Sequence, residues 1–236
     1  MLPLKLIKKL GPPYALLMAS ILVLTLLGDS TVSVMSEAVK PERHVFVIDA
    51  GHGGIDGGAT SCTGILESRI NLEIALRLND LLHLLGYETV MIRTTDRSVY
   101  TQGQSIAAQK VSDLKERVRM VNETRNAVLI SIHQNMYSDG RYSGAQVFYS
   151  RDVESRLLAE KLQRYFVEAL NPGSNRKCKK AAGVYLMEHI KVPGVLIECG
   201  FLSNIEEEAK LRSPTYQMQL CAVIAATLST HFGSGK

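Results

Sequence analysis

Residues 45–54 read VFVIDAGHGG. A short apolar run, Val45 to Ile48, stops at Asp49, and a histidine then stands among glycines. A run of this length bounded by turn residues reads as a buried strand. The glycines around His52 let the backbone turn sharply and leave space beside the imidazole. A strand that delivers one imidazole to a loop without side-chain bulk points to a binding or catalytic site.

The same alternation of strand and amphipathic stretch continues to the C-terminus. Strands are expected at His44–Asp49, Tyr87–Arg93, Val128–His133, Ala145–Ser150, Val184–Met187 and Gly194–Cys199. Helices are expected at Glu67–Leu85, Asp113–Thr124, Asp152–Leu170, Ile205–Leu211 and Pro214–His231. In the first helix Ile70, Ile74, Leu78, Leu81, Leu82 and Leu85 fall at helical spacing, and Gly86 closes it. This order predicts an α/β fold: a single domain with a mostly parallel sheet. Strands apolar on both faces need helices on both sides.

Three of the buried runs end on polar residues that packing does not require. The first leads to His52, the third ends at His133 with Gln134 and Asn135 after it, and the last apolar run ends at Glu198. In open α/β sheets ligands sit outside the carboxyl ends of the strands. If these strands are parallel neighbours, the three side chains converge on one crevice. Glu67 follows His52 by 15 residues across a glycine-rich loop that can fold back on itself. Two imidazoles and one carboxylate make a catalytic zinc shell, with a fourth position left for water. Taken singly, Glu67 reads as a favourable charge at a helix N-terminus, and each histidine as a hydrogen-bonded surface group. Asp49 is expected either to cap the loop or to orient His52. His44, His83, His189 and His231 are left outside the site.

Composition excludes several classes. The chain has 236 residues, 46% hydrophobic and 21% charged, enough for a packed core. The net charge of +4 is mild and scattered, and there is no Trp, so no nucleic-acid partner is expected. A G-x-G-x-x-G reading from Gly51 meets Asp56 where the third glycine belongs, and no P-loop is present. Cys62, Cys178, Cys199 and Cys221 form no C-x-x-C pair and read as isolated buried thiols.

Residues 1–38 read as an export segment. Lys5, Lys8 and Lys9 form a basic head, and Tyr14 to Leu27 is uncharged and almost wholly apolar. Ser36-Glu37-Ala38 offers a poor cleavage site. Residues 1–28 serve as a signal peptide or a membrane anchor, with a linker behind them, and the product is expected outside the cytoplasm, at the cell wall or membrane.

Five blocks together resemble a known family: VFVIDAGHGGIDGGA, RINLEIALRL after Glu67, LISIHQN, SGAQVFY and VLIECGFLSNIEEEAKL. They are similar to the zinc-dependent N-acetylmuramoyl-L-alanine amidases of the type 3 class, over about residues 44–233. The resemblance implies a twisted, largely parallel sheet flanked by helices, and Zn2+ as cofactor. Position by position it makes His52, Glu67 and His133 the metal ligands and Glu198 the catalytic carboxylate. Asn135, from its position two residues after a ligand, is expected to hydrogen-bond the peptide or the sugar. The substrate implied is peptidoglycan, cut between muramic acid and L-alanine. Two departures, DAGHGG for DPGHGG and a Met after SIHQN where Ala is usual, leave the ligand positions intact. Only ten residues separate His133 from Gly144, too few for the inhibitory helix that some relatives carry. The lack of wall-binding repeats resembles the spore-cortex subgroup, whose members help form muramic-δ-lactam. A protein activator is a further possibility. The rival readings are an exported zinc peptidase or polysaccharide deacetylase, and a non-catalytic cell-wall-binding protein.

Overall fold

The computed structural model describes residues 43–233. The export segment and linker expected within residues 1–42 lie outside the described residues. The elements run β1 (Val45–Ala50), α1 (Glu67–Leu84), β2 (Glu88–Met91), α2 (Ile106–Glu123), β3 (Ala127–Asn135) and β4 (Gln146–Tyr149). They continue with α3 (Val153–Leu170), β5 (Lys179–Lys180), α4 (Tyr185–His189), β6 (Gly194–Phe201), α5 (Ile205–Leu211) and α6 (Pro214–Phe232). No helix among them is long and apolar enough to cross a membrane.

The six strands form one sheet in the order β2-β1-β3-β6-β4-β5. β2, β1, β3 and β6 are mutually parallel, and β4 runs antiparallel to β6 with β5 parallel to β4. Alternation along the strands splits the interior in two. Phe46, Ile48, Val128, Ile130, Val195 and Ile197 pack with side chains of α1, α3 and α6. Val47, Leu129 and Leu196 face the other way and meet Val121 of α2 and Leu186 and Met187 of α4. Each such side chain contributes about 1.5–3 kcal/mol by leaving water. The single α/β domain with helices on both faces therefore follows from central strands that are buried on both sides.

Most expected elements fall within a residue or two of their observed ends. Two differ in kind or extent. Val184–Met187, read as a strand, is instead the entry to α4, a five-residue helix. A four-residue apolar run does not distinguish the two states. Here Glu188 N donates to Val184 O at 3.0 Å, which closes a helical turn, and Gly183 N donates to Glu188 Oε1 at 2.7 Å just before it. α2 begins seven residues before the expected Asp113, at Ile106, where Ser105 Oγ accepts Ala108 N at 3.2 Å. Its early turns show no apolar stripe, because its buried residues are Ser112, Arg117 and Val121. The two exposed lysines of β5 gave no strand signal at all.

That polar face of α2 bears on β1. Arg117 pairs with Asp49, and both are almost fully buried. Burial opposes ionisation of Asp49 most strongly, but the charge of Arg117, together with His133 and the hydrogen bonds from Ser131 and Arg117, outweighs it and holds the carboxyl below its ordinary range. Asp113 accepts Arg117 Nε at 2.6 Å. Arg117→Ala is expected to lower stability by about 3–5 kcal/mol, since Asp49 would remain buried without its partner. Urea unfolding checks this, and a loss below ~1 kcal/mol contradicts it.

Candidate metal centre

β1, β3 and β6 are adjacent and parallel, so their carboxyl ends open on the same edge of the sheet. His133 and Glu198 are direct register partners across β3 and β6. His52 follows β1 in the loop, with φ 61°. Glu67 is the first residue of α1.

The loop between His52 and Glu67 is a folded object. Gly53 and Asp56 exchange backbone hydrogen bonds at 2.7 and 3.2 Å. Glu67 N donates to Ala59 O at 2.9 Å, and Ala59 N returns a bond to Glu67 Oε2 at 3.0 Å. This brings Glu67 back beside His52. Glu67 Oε2 lies 3.3 Å from His52 Nε2, and Oε1 lies 3.0 Å from His133 Nδ1. Asn71 Nδ2 and Gln134 N each donate to Oε1 at 3.2 Å. His52, Glu67 and His133 offer ligand atoms that all lie within 4.8 Å of one another, a group that could hold a metal ion. Tetrahedral coordination with bonds of about 2.0–2.1 Å separates neighbouring ligand atoms by about 3.3 Å. The donor set and its spacing fit a divalent cation.

Electrostatics follow from burial. Burial raises the Glu67 carboxyl, but bonds from His133 and then His52 overcome it and hold the group well below the usual carboxylate range. Burial disfavours charge on His52, yet Glu67 and then Asp56 raise its pKa to about 9. Glu198 is pushed up to about 7, chiefly by burial, with the two imidazoles opposing and Glu67 adding. Its Oε2 is enclosed without a hydrogen-bond partner. Asn135 ends β3 beside Phe201 and is not one of the three.

The expected role of Asp49 needs correction. Asp49 neither caps the loop nor touches His52; it binds Arg117 and accepts Ser131 Oγ at 2.7 Å. The imidazole partner is Asp56, whose Oδ2 stands 2.8 Å from His52 Nδ1 and whose Oδ1 pairs with Lys110 at 2.7 Å. Sequence reasoning had met Asp56 only as an interruption of a glycine pattern. Its spacing of four from His52, inside a glycine-rich loop, was the available signal. Arg93 was also missed. It donates to Ala50 O at 2.7 Å, Gly51 O at 3.0 Å and Ser68 O at 2.8 Å. Arg117 Nη2 adds a bond to His52 O at 2.7 Å. The histidines left outside the site pack elsewhere: His44 on Phe232, His189 on Tyr185, His83 against Thr89 and His231 against Glu154. All four cysteines are free; Cys199 and Cys221 are buried as expected, whereas Cys62 is exposed and Cys178 half-buried.

Residues 46–230 match the model of the Amidase_3 family, described as N-acetylmuramoyl-L-alanine amidase. The chain is 35% identical over 192 residues to a germination-specific N-acetylmuramoyl-L-alanine amidase of Bacillus subtilis (strain 168), covering 80% of this chain and 79% of that protein. Among solved structures it resembles the CwlD amidase from Clostridioides difficile in complex with the GerS lipoprotein, with a TM-score of 0.76 and 32% identity. That match covers 80% of this chain and 98% of CwlD. An N-acetylmuramoyl-L-alanine amidase from Clostridium difficile 630 gives a TM-score of 0.69 at 28% identity, over 80% and 96% of the two chains.

Two outcomes test the centre. A Cβ on Gly51 would lie 2.1 Å from His133 Nε2. Gly51→Ala is therefore expected to displace the ring and weaken divalent-cation binding by about 10–100-fold with the fold retained; unchanged affinity contradicts this. The second outcome concerns pH. A cation needs neutral imidazoles, so its uptake must release the His52 proton. A histidine with a raised folded pKa stabilises fully below its ordinary 6.5 and loses that contribution as pH rises through about 9. After chelation, the melting temperature should fall across that window, while cation affinity should rise by up to about tenfold per pH unit. Thermal scans and cation titrations across the window check this, and a flat affinity contradicts it.

Proposed function

The chain belongs to the N-acetylmuramoyl-L-alanine amidase family, and on that premise we propose that it is a zinc hydrolase cutting the amide between muramic acid and L-alanine in peptidoglycan. His52, Glu67 and His133 would hold the Zn2+, and Glu198 would move the proton. The observation that carries this reading is the register pairing of His133 with Glu198 beside the three clustered donors. Those donors without a neighbouring carboxylate would suit storage or structure; the fourth group suits hydrolysis.

A divalent cation in this shell supplies Lewis-acid polarisation of the scissile carbonyl and makes a water acidic near neutral pH. The rest falls to the chain's own groups. Glu198 takes a proton from the water whose oxygen attacks the lactyl carbonyl carbon. It then passes that proton to the alanine nitrogen as the carbon–nitrogen bond breaks. A carboxyl pushed up to about 7 by burial is suited to both halves of this exchange. Asp56 holds His52 by Nδ1, which fixes the ring and directs Nε2 at Glu67. Asn135, two residues beyond His133 at the end of β3, would hydrogen-bond the peptide or the sugar.

The finer role is formation of muramic-δ-lactam in spore cortex. It is supported by likeness to the germination-specific relative. The solved complex of CwlD with a lipoprotein supports a protein partner for this chain as well. Export through residues 1–28, as a cleaved signal or an anchor, accords with a wall substrate.

Glu198→Gln is expected to keep stoichiometric zinc and lose peptide release by about 10²–10⁴-fold. Metal analysis and mass spectrometry of digested peptidoglycan read both. Intact stem peptides with untouched sugar acetyl groups identify the amidase. Released acetate, or peptides cut internally, would instead indicate a deacetylase or peptidase.

A further inference from the structure

Past the last rung of β3 and β6 stands an aromatic ledge that the metal centre does not use. Phe201, the register partner of Asn135, is 4% exposed and forms its floor. Tyr142 stacks on Phe201 with centroids 5.9 Å apart and planes at 29°. Tyr137 meets Tyr142 edge-on at 4.9 Å and 83°. The Arg176 guanidinium lies 5.0 Å from the Phe201 ring centre, and its Nε donates to Ser143 O at 3.1 Å. The loop is pinned from below: Tyr137 N donates to Ser203 Oγ at 3.3 Å and Asn204 Nδ2 to Tyr142 O at 3.2 Å. Even so, Tyr137 and Tyr142 are 52% and 45% exposed.

Two large rings standing half in water, four and nine residues beyond His133, contribute little to the core. Their position on the strand-end side that carries His133 and Glu198 makes them a contact surface for whatever enters the site. A tyrosine offers an apolar face and a hydroxyl at its edge. That pairing matches a pyranose, which has a face of C–H groups and a rim of hydroxyls.

We propose that Tyr137 and Tyr142 form a glycan subsite, stacking on N-acetylhexosamine units next to the muramic acid whose amide is cut. This rests on the amidase reading and deepens it. The ledge sets how the glycan strand lies across the edge of the sheet, and the centre then acts on the peptide that strand presents.

The probe is peptide-free glycan chains prepared from peptidoglycan, with binding followed by calorimetry on the zinc-loaded protein. Tyr137→Ala and Tyr142→Ala are each expected to weaken binding about 3- to 10-fold. Phe at either position should restore most of it, because the ring face remains. With intact peptidoglycan as substrate, the loss should appear in KM and not in kcat. Tyr137 is the more exposed of the two, so Tyr137→Ala keeps the test available if Tyr142→Ala unfolds. Wild-type affinity for the glycan in Tyr137→Ala overturns the subsite, as does a wild-type protein that binds free stem peptides and ignores peptide-free glycan. The amidase reading fails separately: wild-type protein that binds the glycan and releases no peptide contradicts that reading and leaves the ledge standing.

Discussion

The Glu67 carboxylate, held between His52 and His133, is the interaction on which the rest of the site depends. A buried carboxylate is costly unless positive charge or hydrogen bonds offset its lost hydration. The chain supplies several offsets at once, with Ala59 N, Gln134 N and Asn71 all donating to its two oxygens. Those bonds fix the carboxylate from loop, strand and helix together, so both imidazoles meet a stationary partner. Gln134 Nε2 in turn binds Asn71 Oδ1 at 3.1 Å, which ties β3 to α1 behind the site.

Holding the His52 loop carries its own cost, because a histidine at φ 61° sits where side chains with a Cβ are strained. Two buried guanidiniums compensate. Arg93 and Arg117 together reach the carbonyls of Ala50, Gly51 and His52, three successive residues as the chain leaves β1. This turns the loop and keeps those carbonyls satisfied where no neighbouring strand can pair with them. Gly51 completes the arrangement, since the His133 ring occupies the space where a side chain would be. The sheet gives the direction, the guanidiniums give the turn, and the absent Cβ gives the room.

The strand ends were legible in the sequence because their signal is local. Apolar runs closing on His52, His133 and Glu198 are visible without knowing the fold, and parallel adjacency then brings them together. Glu67 was readable only by supposing that a glycine-rich loop folds back, as it does. What escaped detection depends on side chains that reach across elements. Arg117 lies 68 residues from Asp49, and nothing near either one announces the pair. Asp49 was assigned to His52 because it was close in sequence, but its side chain stands off the face of β1 that α2 covers and meets Arg117 there. Asp56 takes that role from inside the loop. α4 was misread because Val184–Met187 is too short for apolar content to separate helix from strand.

These pieces amount to one claim: that the ends of two strands and one helix share a single divalent cation. Anomalous diffraction from zinc-loaded crystals, collected on either side of the zinc absorption edge, tests it most directly. The account predicts one strong peak within about 2.0–2.2 Å of a nitrogen of His52, a nitrogen of His133 and a carboxylate oxygen of Glu67, with Glu198 beside it and not bound. Zinc found elsewhere, or held without both imidazoles, would contradict it.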